Sequence, residues 1–178
     1  MGNGLEVGIV TCSDRAYRGE YDDEGGPALE TWLDEALVSD WEAHTRLVPD
    51  ERDEIADTLR ELVDEVGCQL VFTTGGTGPA PRDVTPDATL DVAEKVLDGF
   101  GEKMRQISLQ YVPTAILSRQ EGVTRGRSLI VNLPGNPKAI GEILDELWEV
   151  IPYTIELLEG PRIETDQEVV ETFRPKHA

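Results

Sequence analysis

The stretch CQLVFTTGGTGPAPRDVTPD, residues 68–87, decides the fold of this chain. Its first part, residues 68–73, is a short and mostly apolar run of the kind that forms a buried β-strand. Three glycines, Gly75, Gly76 and Gly78, then stand among threonines, and glycine can adopt backbone conformations that are closed to other residues. We therefore predict a buried strand that ends in a glycine loop whose N–H groups can face an anion.

Similar patterns extend outward from this stretch in both directions. Further strands are predicted at residues 5–11, 41–48 and 128–133. Apolar residues at helical spacing predict helices at residues 27–37, 51–66, 84–97, 100–111 and 138–158. This alternation of strands and helices favours an α/β fold with a mostly parallel sheet that is covered on both faces.

Individual residues mark where the predicted helices begin and end. Pro27 suits the first turn of a helix, and Gly67 suits the position just after a helix. Asp83 or Thr85 could cap the helix that follows the glycine loop. Pro152 should kink or divide the last long helix, because proline cannot donate a backbone hydrogen bond.

Length and composition indicate one ordinary domain, residues 1–178, without repeats or linkers. The chain has 16 Lys and Arg against 36 Asp and Glu, a net charge of -20, which argues against a nucleic-acid partner. No apolar stretch reaches the length of a membrane span, so we expect no membrane partner and a cytoplasmic protein. Cys12 and Cys68 are predicted to be buried thiols, and His44 and His177 are too few and too separated for a zinc site.

Four predicted strands are each followed by a loop of small, polar or charged residues. These loops are CSDR after the first strand, PDE after the second, TTGGTG after the third and NLPGNP after the last. Ligands of open α/β sheets bind outside the carboxyl ends of the strands. The four loops together therefore predict a binding site at that edge of the sheet, whereas the glycine cluster alone could also be a tight structural turn. It matches neither the Walker A sequence nor G-x-G-x-x-G.

Two carboxylates suggest what such a site would bind. Asp50 follows the second strand, and Asp83 lies in the loop beyond the glycines. Carboxylates repel a phosphate unless a cation lies between them, and Mg²⁺ is usually held by one or two carboxylates together with substrate phosphates. Taken singly, Asp50 could be a helix cap and Asp83 a turn residue. As a pair beside one loop they favour a metal-dependent site, with Arg15, Arg82 and Arg119 as candidate counter-charges.

Several motifs together carry a family resemblance. In chain order they are GIVTCSDR, PALETWL, LVPDE, LVFTTGGTGPAPRDVTPDAT, GFGEKMRQISLQYVPTAILSRQ, LIVNLPGNPKA, LLEGP and FRPK. With them the chain resembles the molybdopterin adenylyltransferases of the bacterial Mog type, which belong to the MogA/MoaB family of molybdopterin-binding proteins. The resemblance extends over almost the whole chain, and the combination of TTGGTG, PRDVTPD and N-x-P-G-x-P is specific to the wider family.

The resemblance implies a fold and a reaction. The fold would be a three-layer α/β/α sandwich, the molybdopterin-binding fold, that assembles as a homotrimer. The reaction would be the Mg²⁺-dependent transfer of AMP from the co-substrate ATP to the terminal phosphate of molybdopterin, with release of pyrophosphate. The adenylylated pterin would then pass to a molybdenum insertase, as a step of molybdenum cofactor biosynthesis.

The resemblance also implies roles for individual residues. The two essential aspartates of the family, which are both catalytic and metal-binding, fall on Asp50 and Asp83, and whether one or both contact the metal stays open. Residues that would bind substrate are Ser13, Asp14, Thr74, Gly75, Gly76, Thr77, Gly78, Ser108, Ser118, Asn132, Pro134 and Gly135.

Two features depart from the family. Some Mog-type proteins are expected to carry additional residues between Lys138 and Pro152, where we predict a single uninterrupted helix in this chain. The strong acidity is unusual beside two anionic substrates, so we expect the site itself to be basic or neutral. The alternatives are a molybdenum insertase-related domain, a non-catalytic molybdopterin-binding or scaffold relative, and a phosphate-binding α/β domain unrelated to molybdenum.

Overall fold

The computed structural model describes residues 4–176, and a six-stranded sheet forms its centre. The strands are β1 (Leu5–Cys12), β2 (Trp41–Val48), β3 (Leu70–Thr74), β4 (Lys95–Val96), β5 (Gly122–Arg125) and β6 (Ser128–Leu133). They lie in the order β2-β1-β3-β6-β5-β4. Strands β2, β1, β3 and β6 are parallel, whereas β5 is antiparallel to β6 and β4 is antiparallel to β5.

Helices cover both faces of this sheet. They are α1 (Asp14–Tyr17), α2 (Gly25–Ala36), α3 (Arg52–Arg60), α4 (Thr85–Val92), α5 (Asp98–Leu109), α6 (Pro137–Leu147) and α7 (Ile151–Leu157). A π-helical segment, Glu61–Val66, continues α3, and 3-10 turns form at Pro113–Leu117 and Trp148–Val150.

The core consists of two apolar clusters, one on each face of the sheet. In β3, Leu70 and Phe72 belong to the cluster formed with α2, α5, α6 and α7, while Val71 belongs to the cluster formed with α3 and α4. This follows from strand geometry, since successive side chains point to opposite faces. The structure confirms the expected three-layer α/β/α fold with a mostly parallel sheet.

The antiparallel edge of the sheet was not predicted. The helix expected over residues 84–97 ends at Val92, and Lys95–Val96 forms β4 instead, paired with β5. Neither Asp83 nor Thr85 caps that helix: its N-cap is Val84, and no side chain makes the capping bond. A two-residue edge strand has too few residues to show an alternating pattern in the sequence.

Two other predicted helix boundaries are confirmed by the structure, and one prediction is wrong. Gly67 ends the helical segment with φ 83°, as expected for a left-handed C-cap. The prediction of an uninterrupted helix between Lys138 and Pro152 is wrong, because α6 ends at Leu147 and a 3-10 turn follows it. The expected division at Pro152 is confirmed, and its cause is that a proline ring clashes with the carbonyl four residues earlier, here that of Trp148.

Cys12 and Cys68 are both free and buried, as predicted. His177 lies outside the described residues. No helix within residues 4–176 combines the length and the apolar character that crossing a membrane requires.

Candidate active site

The carboxyl ends of the four parallel strands bring four loops to one edge of the sheet. Residues after β1, β2, β3 and β6 meet there, and backbone bonds join the loops in pairs. Ser13 donates its N–H to the carbonyl of Val48 at 3.0 Å, and Gly75 donates to Leu133 at 3.1 Å. The edge predicted from the sequence to hold a binding site is therefore a single connected surface.

The glycine loop after β3 needs glycine at two of its three glycine positions for conformational reasons. Gly75 has φ 88° and Gly76 has φ 67°, whereas Gly78 is not in the left-handed region. A side-chain carbon on Gly75 would lie 2.6 Å from the carbonyl oxygen of Cys12. Within residues 4–176, the N–H groups of Gly76, Thr77 and Gly78 have no hydrogen-bond acceptor. Three consecutive N–H groups are thus available to an anion.

Arg119 holds this loop in place. Its Nε donates to the carbonyl of Gly78 at 2.8 Å, and its own backbone N–H donates to the carbonyl of Thr77 at 2.8 Å. The same guanidinium donates to the carbonyl of Asp83 and forms an ion pair with Asp87 at 3.1 Å. Arg119 is therefore committed to positioning the loop, so its charge is already paired.

Arg15 and Arg82, the other two candidate counter-charges, are also paired. Arg82 makes a two-pronged bond to Asp14, with both distances 3.0 Å, and a further bond to Glu51 at 2.8 Å. Arg15 lies 3.7 Å from Glu20 and stacks over Tyr21. Around the glycine loop, carboxylates outnumber the arginines that pair with them. The expectation of a basic or neutral site is wrong for this part of the edge.

Asp50 and Asp14 are locked together by two reciprocal bonds. The N–H of Asp14 donates to Oδ2 of Asp50 at 2.9 Å, and the N–H of Asp50 donates to Oδ1 of Asp14 at 3.0 Å. Burial raises the pKa of Asp50, and the nearby charges of Asp14 and Asp83 raise it further. The bond from Arg82 lowers the pKa of Asp14. Asp50 is thus a carboxylate that is costly to ionise without a cation beside it.

Both predicted catalytic aspartates lie against the glycine loop. A side-chain carbon on Gly76 would be 3.2 Å from Oδ1 of Asp50, and one on Gly78 would be 2.9 Å from Oδ2 of Asp83. Asp83 is fixed by the N–H of Ala80, which donates to the same Oδ2 at 3.0 Å. The two acids therefore both border the glycine loop, as predicted from the sequence.

The side-chain oxygens on this side of the glycine loop are suitable ligands for a divalent cation. Among residues 4–176, Oδ1 of Asp50 and Oγ1 of Thr85 are the buried side-chain polar atoms that have no hydrogen-bond partner. Buried polar atoms are nearly always paired, and an exception calls for an explanation such as an ion. Carboxylate and hydroxyl oxygens are hard ligands of the kind that Mg²⁺ takes. The residues present therefore fit the Mg²⁺ ion that the family resemblance implies.

A cavity of about 350 Å³ adjoins the loop at Thr77. It brings together four of the predicted substrate-binding residues, which are Thr77, Ser108, Ser118 and Pro134. The cavity is also lined by Lys138, which has no ion-pair partner among the described residues. Lys138 lies in the first turn of α6, just after the capping residue Asn136. The cavity therefore combines hydroxyl groups with the positive charge of Lys138, and the carboxylate of Glu142 also lines it.

Asn132 and Thr74 lie beneath the surface of the site. Asn132 is fully buried, its amide donates to Thr73 at 3.0 Å and Thr89 at 2.9 Å, and its Oδ1 accepts from the N–H of Glu121 at 3.1 Å. All its polar atoms are satisfied, so the prediction that it binds substrate does not fit its position. Thr74 is 1% exposed, and its hydroxyl faces Thr11.

Ser13 and Gly135 border the site in other ways. Ser13 caps α1 by accepting from the N–H of Ala16 at 3.2 Å, and its hydroxyl contacts Tyr21 at 2.9 Å. A side-chain carbon on Gly135 would lie 3.5 Å from the Cα of Gly75, so the loop after β6 packs directly against the glycine loop.

Sequence reasoning missed four residues at this edge. Thr85 was interpreted only as a possible cap, and Lys138 gave no signal beyond its place after the N-x-P-G-x-P motif. Gln120 accepts from the hydroxyl of Ser118 at 2.6 Å and so orients it. Asp23 accepts from the N–H groups of Gly25 and Gly26 at the start of α2, a pattern that an acid two residues before a glycine pair could have suggested.

A second group of potential metal ligands lies near the opposite end of β1. Ligand atoms of Glu6, Glu42 and His44 are within 4.8 Å of one another. His44 is already hydrogen-bonded to Glu6 at 2.6 Å. We interpret this group as a hydrogen-bonded His–Glu pair beside a further surface acid, at the edge strand β2.

The fold and the site together define a class: an α/β/α domain with a glycine loop and two aspartates at the carboxyl ends of a parallel sheet, which is where such folds bind ligands. Residues 8–153 match the family model described as a probable molybdopterin binding domain, and the chain belongs to that family. The resemblance drawn from its motifs is confirmed.

Individual relatives make the assignment finer. The chain is 57% identical to the molybdopterin adenylyltransferase of Escherichia coli K12, covering 99% of this chain and 96% of that protein. It is 55% identical to the molybdopterin adenylyltransferase of Haemophilus influenzae, over 98% of this chain and 94% of the relative. Among solved structures, the molybdopterin biosynthesis enzyme MoaB of Thermus thermophilus superposes with a TM-score of 0.81 at 40% identity, covering 89% of this chain and 99% of that one.

Proposed function

We propose that this chain is a molybdopterin adenylyltransferase that transfers AMP from ATP to molybdopterin in the biosynthesis of the molybdenum cofactor. The observation that carries the proposal is the meeting of Asp50 and Asp83 at a loop with three free N–H groups, next to a cavity lined by hydroxyls. Nucleotidyl transfer needs both parts: a place where phosphates and a cation meet, and a separate pocket for the acceptor.

The chemistry asks little covalent work of the protein. A phosphate oxygen of the pterin attacks the α-phosphorus of ATP, a new P–O bond forms, and the bond to the β-phosphate oxygen breaks to release pyrophosphate. The attacking phosphate is already ionised, so no general base is needed. The cost lies in bringing two polyanions together in line, which makes orientation and charge compensation the main contributions.

Each part of the site has a role in that compensation. The N–H groups of Gly76, Thr77 and Gly78 bind phosphate oxygens, and Arg119 keeps the loop in position for them. Asp50 and Asp83 hold Mg²⁺, which when bound supplies positive charge to the phosphates of ATP. Ser108 and Ser118 bind the pterin in the adjoining cavity.

The assembly is proposed to be a homotrimer, and the adenylylated product is proposed to pass to a molybdenum insertase. A run of exposed apolar side chains next to the cavity supports self-association. Its members are Leu109, Tyr111, Val112, Ile116 and Leu117, and Ile116 is 71% exposed. An apolar surface of this kind usually marks an interface. Sedimentation equilibrium tests it directly, and a monomeric mass at micromolar concentration would contradict the trimer.

The direct test of the proposed function is to incubate the purified protein with ATP, Mg²⁺ and molybdopterin. Release of pyrophosphate together with an AMP–pterin product is expected, and chelation of Mg²⁺ with EDTA should stop it. Tight binding of the pterin without any product would instead indicate a non-catalytic binding relative.

Replacing Lys138 by Met should weaken the binding of molybdopterin. Lys138 is the unpaired cation of the cavity, and a hydrogen bond to a charged group contributes about 1.5–3 kcal/mol, which corresponds to roughly 10- to 100-fold in KM for the pterin. The KM for ATP and the turnover number should change little. Lys103→Met, on the exposed surface of α5, serves as the matched control. Equal changes in both variants would contradict the role of Lys138.

A further inference from the structure

Thr85 is a fully buried residue whose hydroxyl the motifs do not explain. It is 0% exposed, and its Oγ1 has no hydrogen-bond partner among residues 4–176. Its backbone is held firmly, since its N–H donates to the carbonyl of Gly76 at 3.2 Å and its carbonyl accepts from the hydroxyl of Thr89 at 2.9 Å. The residue that carries this hydroxyl is therefore held in place, although the hydroxyl has no hydrogen-bond partner among the described residues.

The position of this hydroxyl is set by the glycine loop and Asp50. A side-chain carbon on Gly76 would overlap Oγ1 of Thr85 and would also lie 3.2 Å from Oδ1 of Asp50. Gly76 therefore lies against two buried oxygens, and neither has a hydrogen-bond partner among residues 4–176. Two unpaired oxygens beside one residue are a stronger sign of a missing ligand than one alone.

The remaining neighbour of the Thr85 hydroxyl is Cys12, whose thiol contacts it. A thiol is only a weak hydrogen-bond partner. The lone pairs of the Thr85 oxygen are therefore free to bind a cation.

We propose that Thr85 supplies, through its hydroxyl oxygen, a further protein ligand to the divalent cation that Asp50 binds. The inference rests on the proposed function and adds to it a residue that was interpreted from the sequence only as a possible helix cap. It also gives Gly76 a second reason to be glycine, since a side-chain carbon there would displace the Thr85 hydroxyl from its place near Asp50.

The test measures cation binding apart from catalysis. Mn²⁺ alone is titrated into the full-length protein and followed by electron paramagnetic resonance, and the binding that is lost in Asp50→Asn identifies the site among weak surface sites. Thr85→Val removes the hydroxyl while keeping the shape of the side chain, and it should lower the Mn²⁺ affinity of this site about 10- to 100-fold. Thr85→Ser keeps the hydroxyl and should restore the affinity.

A second readout separates cation binding from packing. In EDTA, Thr85→Val should unfold at the same temperature as the wild type or higher, because it removes an unpaired buried hydroxyl. Thr89→Val is the matched control: its hydroxyl pairs with Thr85 and Asn132, so this variant should unfold at a lower temperature and keep its Mn²⁺ affinity.

Different experimental results would contradict the role of Thr85, the cation site and the proposed function. Wild-type Mn²⁺ affinity in Thr85→Val, or an equal loss of affinity in Thr89→Val, would overturn the role of Thr85. Asp50→Asn that keeps every bound Mn²⁺ would overturn the site itself. Formation of AMP–pterin by the wild-type protein is measured separately and decides the proposed function alone.

Discussion

Asp50→Asn is expected to lower the turnover of adenylyl transfer by about 10²-fold or more, the size of effect seen when one oriented electrostatic group is removed from an active site. The substitution keeps the size of the side chain and an oxygen that can accept the N–H of Asp14, so the fold should survive. What is lost is the negative charge at a buried oxygen that has no partner. Turnover is measured as pyrophosphate release at saturating ATP and pterin.

Stability should move in the opposite direction from activity. The pKa of Asp50 is raised in the folded protein by burial, so the native state holds the proton more tightly than the unfolded chain. Its contribution to stability is therefore present at low pH and is lost as the pH rises through the raised pKa. At neutral pH and without metal, Asp50→Asn should be as stable as the wild type or more stable, as measured by urea unfolding.

Two further measurements test the Asp50 prediction. Because cation binding needs the ionised carboxylate, the affinity of the site for Mn²⁺ should fall on acidification at a higher pH than for an aspartate of ordinary pKa. Asp53→Asn, an exposed acid in the first turn of α3, changes the net charge equally and should leave both rate and stability near the wild-type values. A normal rate in Asp50→Asn would end the assignment.

Gly75→Ala is expected to lower the free energy of unfolding by about 2–5 kcal/mol. Two costs combine: a left-handed backbone, at φ 88°, costs a non-glycine residue about 1–2 kcal/mol, and forcing an atom into a packed site adds about 1–3 kcal/mol. The added carbon would lie 2.6 Å from the carbonyl oxygen of Cys12, a backbone atom that cannot rotate away. Urea unfolding followed by circular dichroism gives the value.

Gly67→Ala separates these two costs. Gly67 has φ 83°, nearly the same conformation, but nothing lies within 4 Å of the position that its side chain would take. This variant should lose only the conformational part, about 1–2 kcal/mol. Equal losses in the two variants would show that the contact with Cys12 carries no cost. Gly75→Ala should also lose activity, since the loop that binds phosphate must shift, whereas Gly67→Ala should not.

Much of the fold could be predicted because its signals are local. The runs that became β1, β2, β3 and β6 show apolar or alternating patterns within a few residues, and Gly67 marks a helix end by its own conformational freedom. The edge strands β4 and β5 could not be predicted in this way. They are short, and what makes them strands is the partner each finds in space.

Some features of the candidate site could likewise be predicted from the sequence, and others could not. Asp50 and Asp83 were predicted to meet because parallel strands end at one edge, a rule that needs only the order of elements. Arg82 and Arg119 bond to acids and carbonyls within the protein. These pairings could not be predicted from the sequence, since each arginine pairs with residues more than 30 positions away. The prediction that Asn132 binds substrate does not fit the structure for the same reason. Its sequence motif is local, whereas its burial depends on residues far away in the chain.

The sequence by itself determined the parallel sheet, the glycine loop and the aspartates at its rim, because these follow from backbone preferences and side-chain periodicity along short segments. Only the tertiary structure decided which polar groups are satisfied and which are left over. That balance depends on distances between residues far apart in the chain. Among the described residues, it is what leaves Asp50 and Thr85 with unpaired oxygens beside Gly76, and Lys138 without an ion-pair partner in the neighbouring cavity.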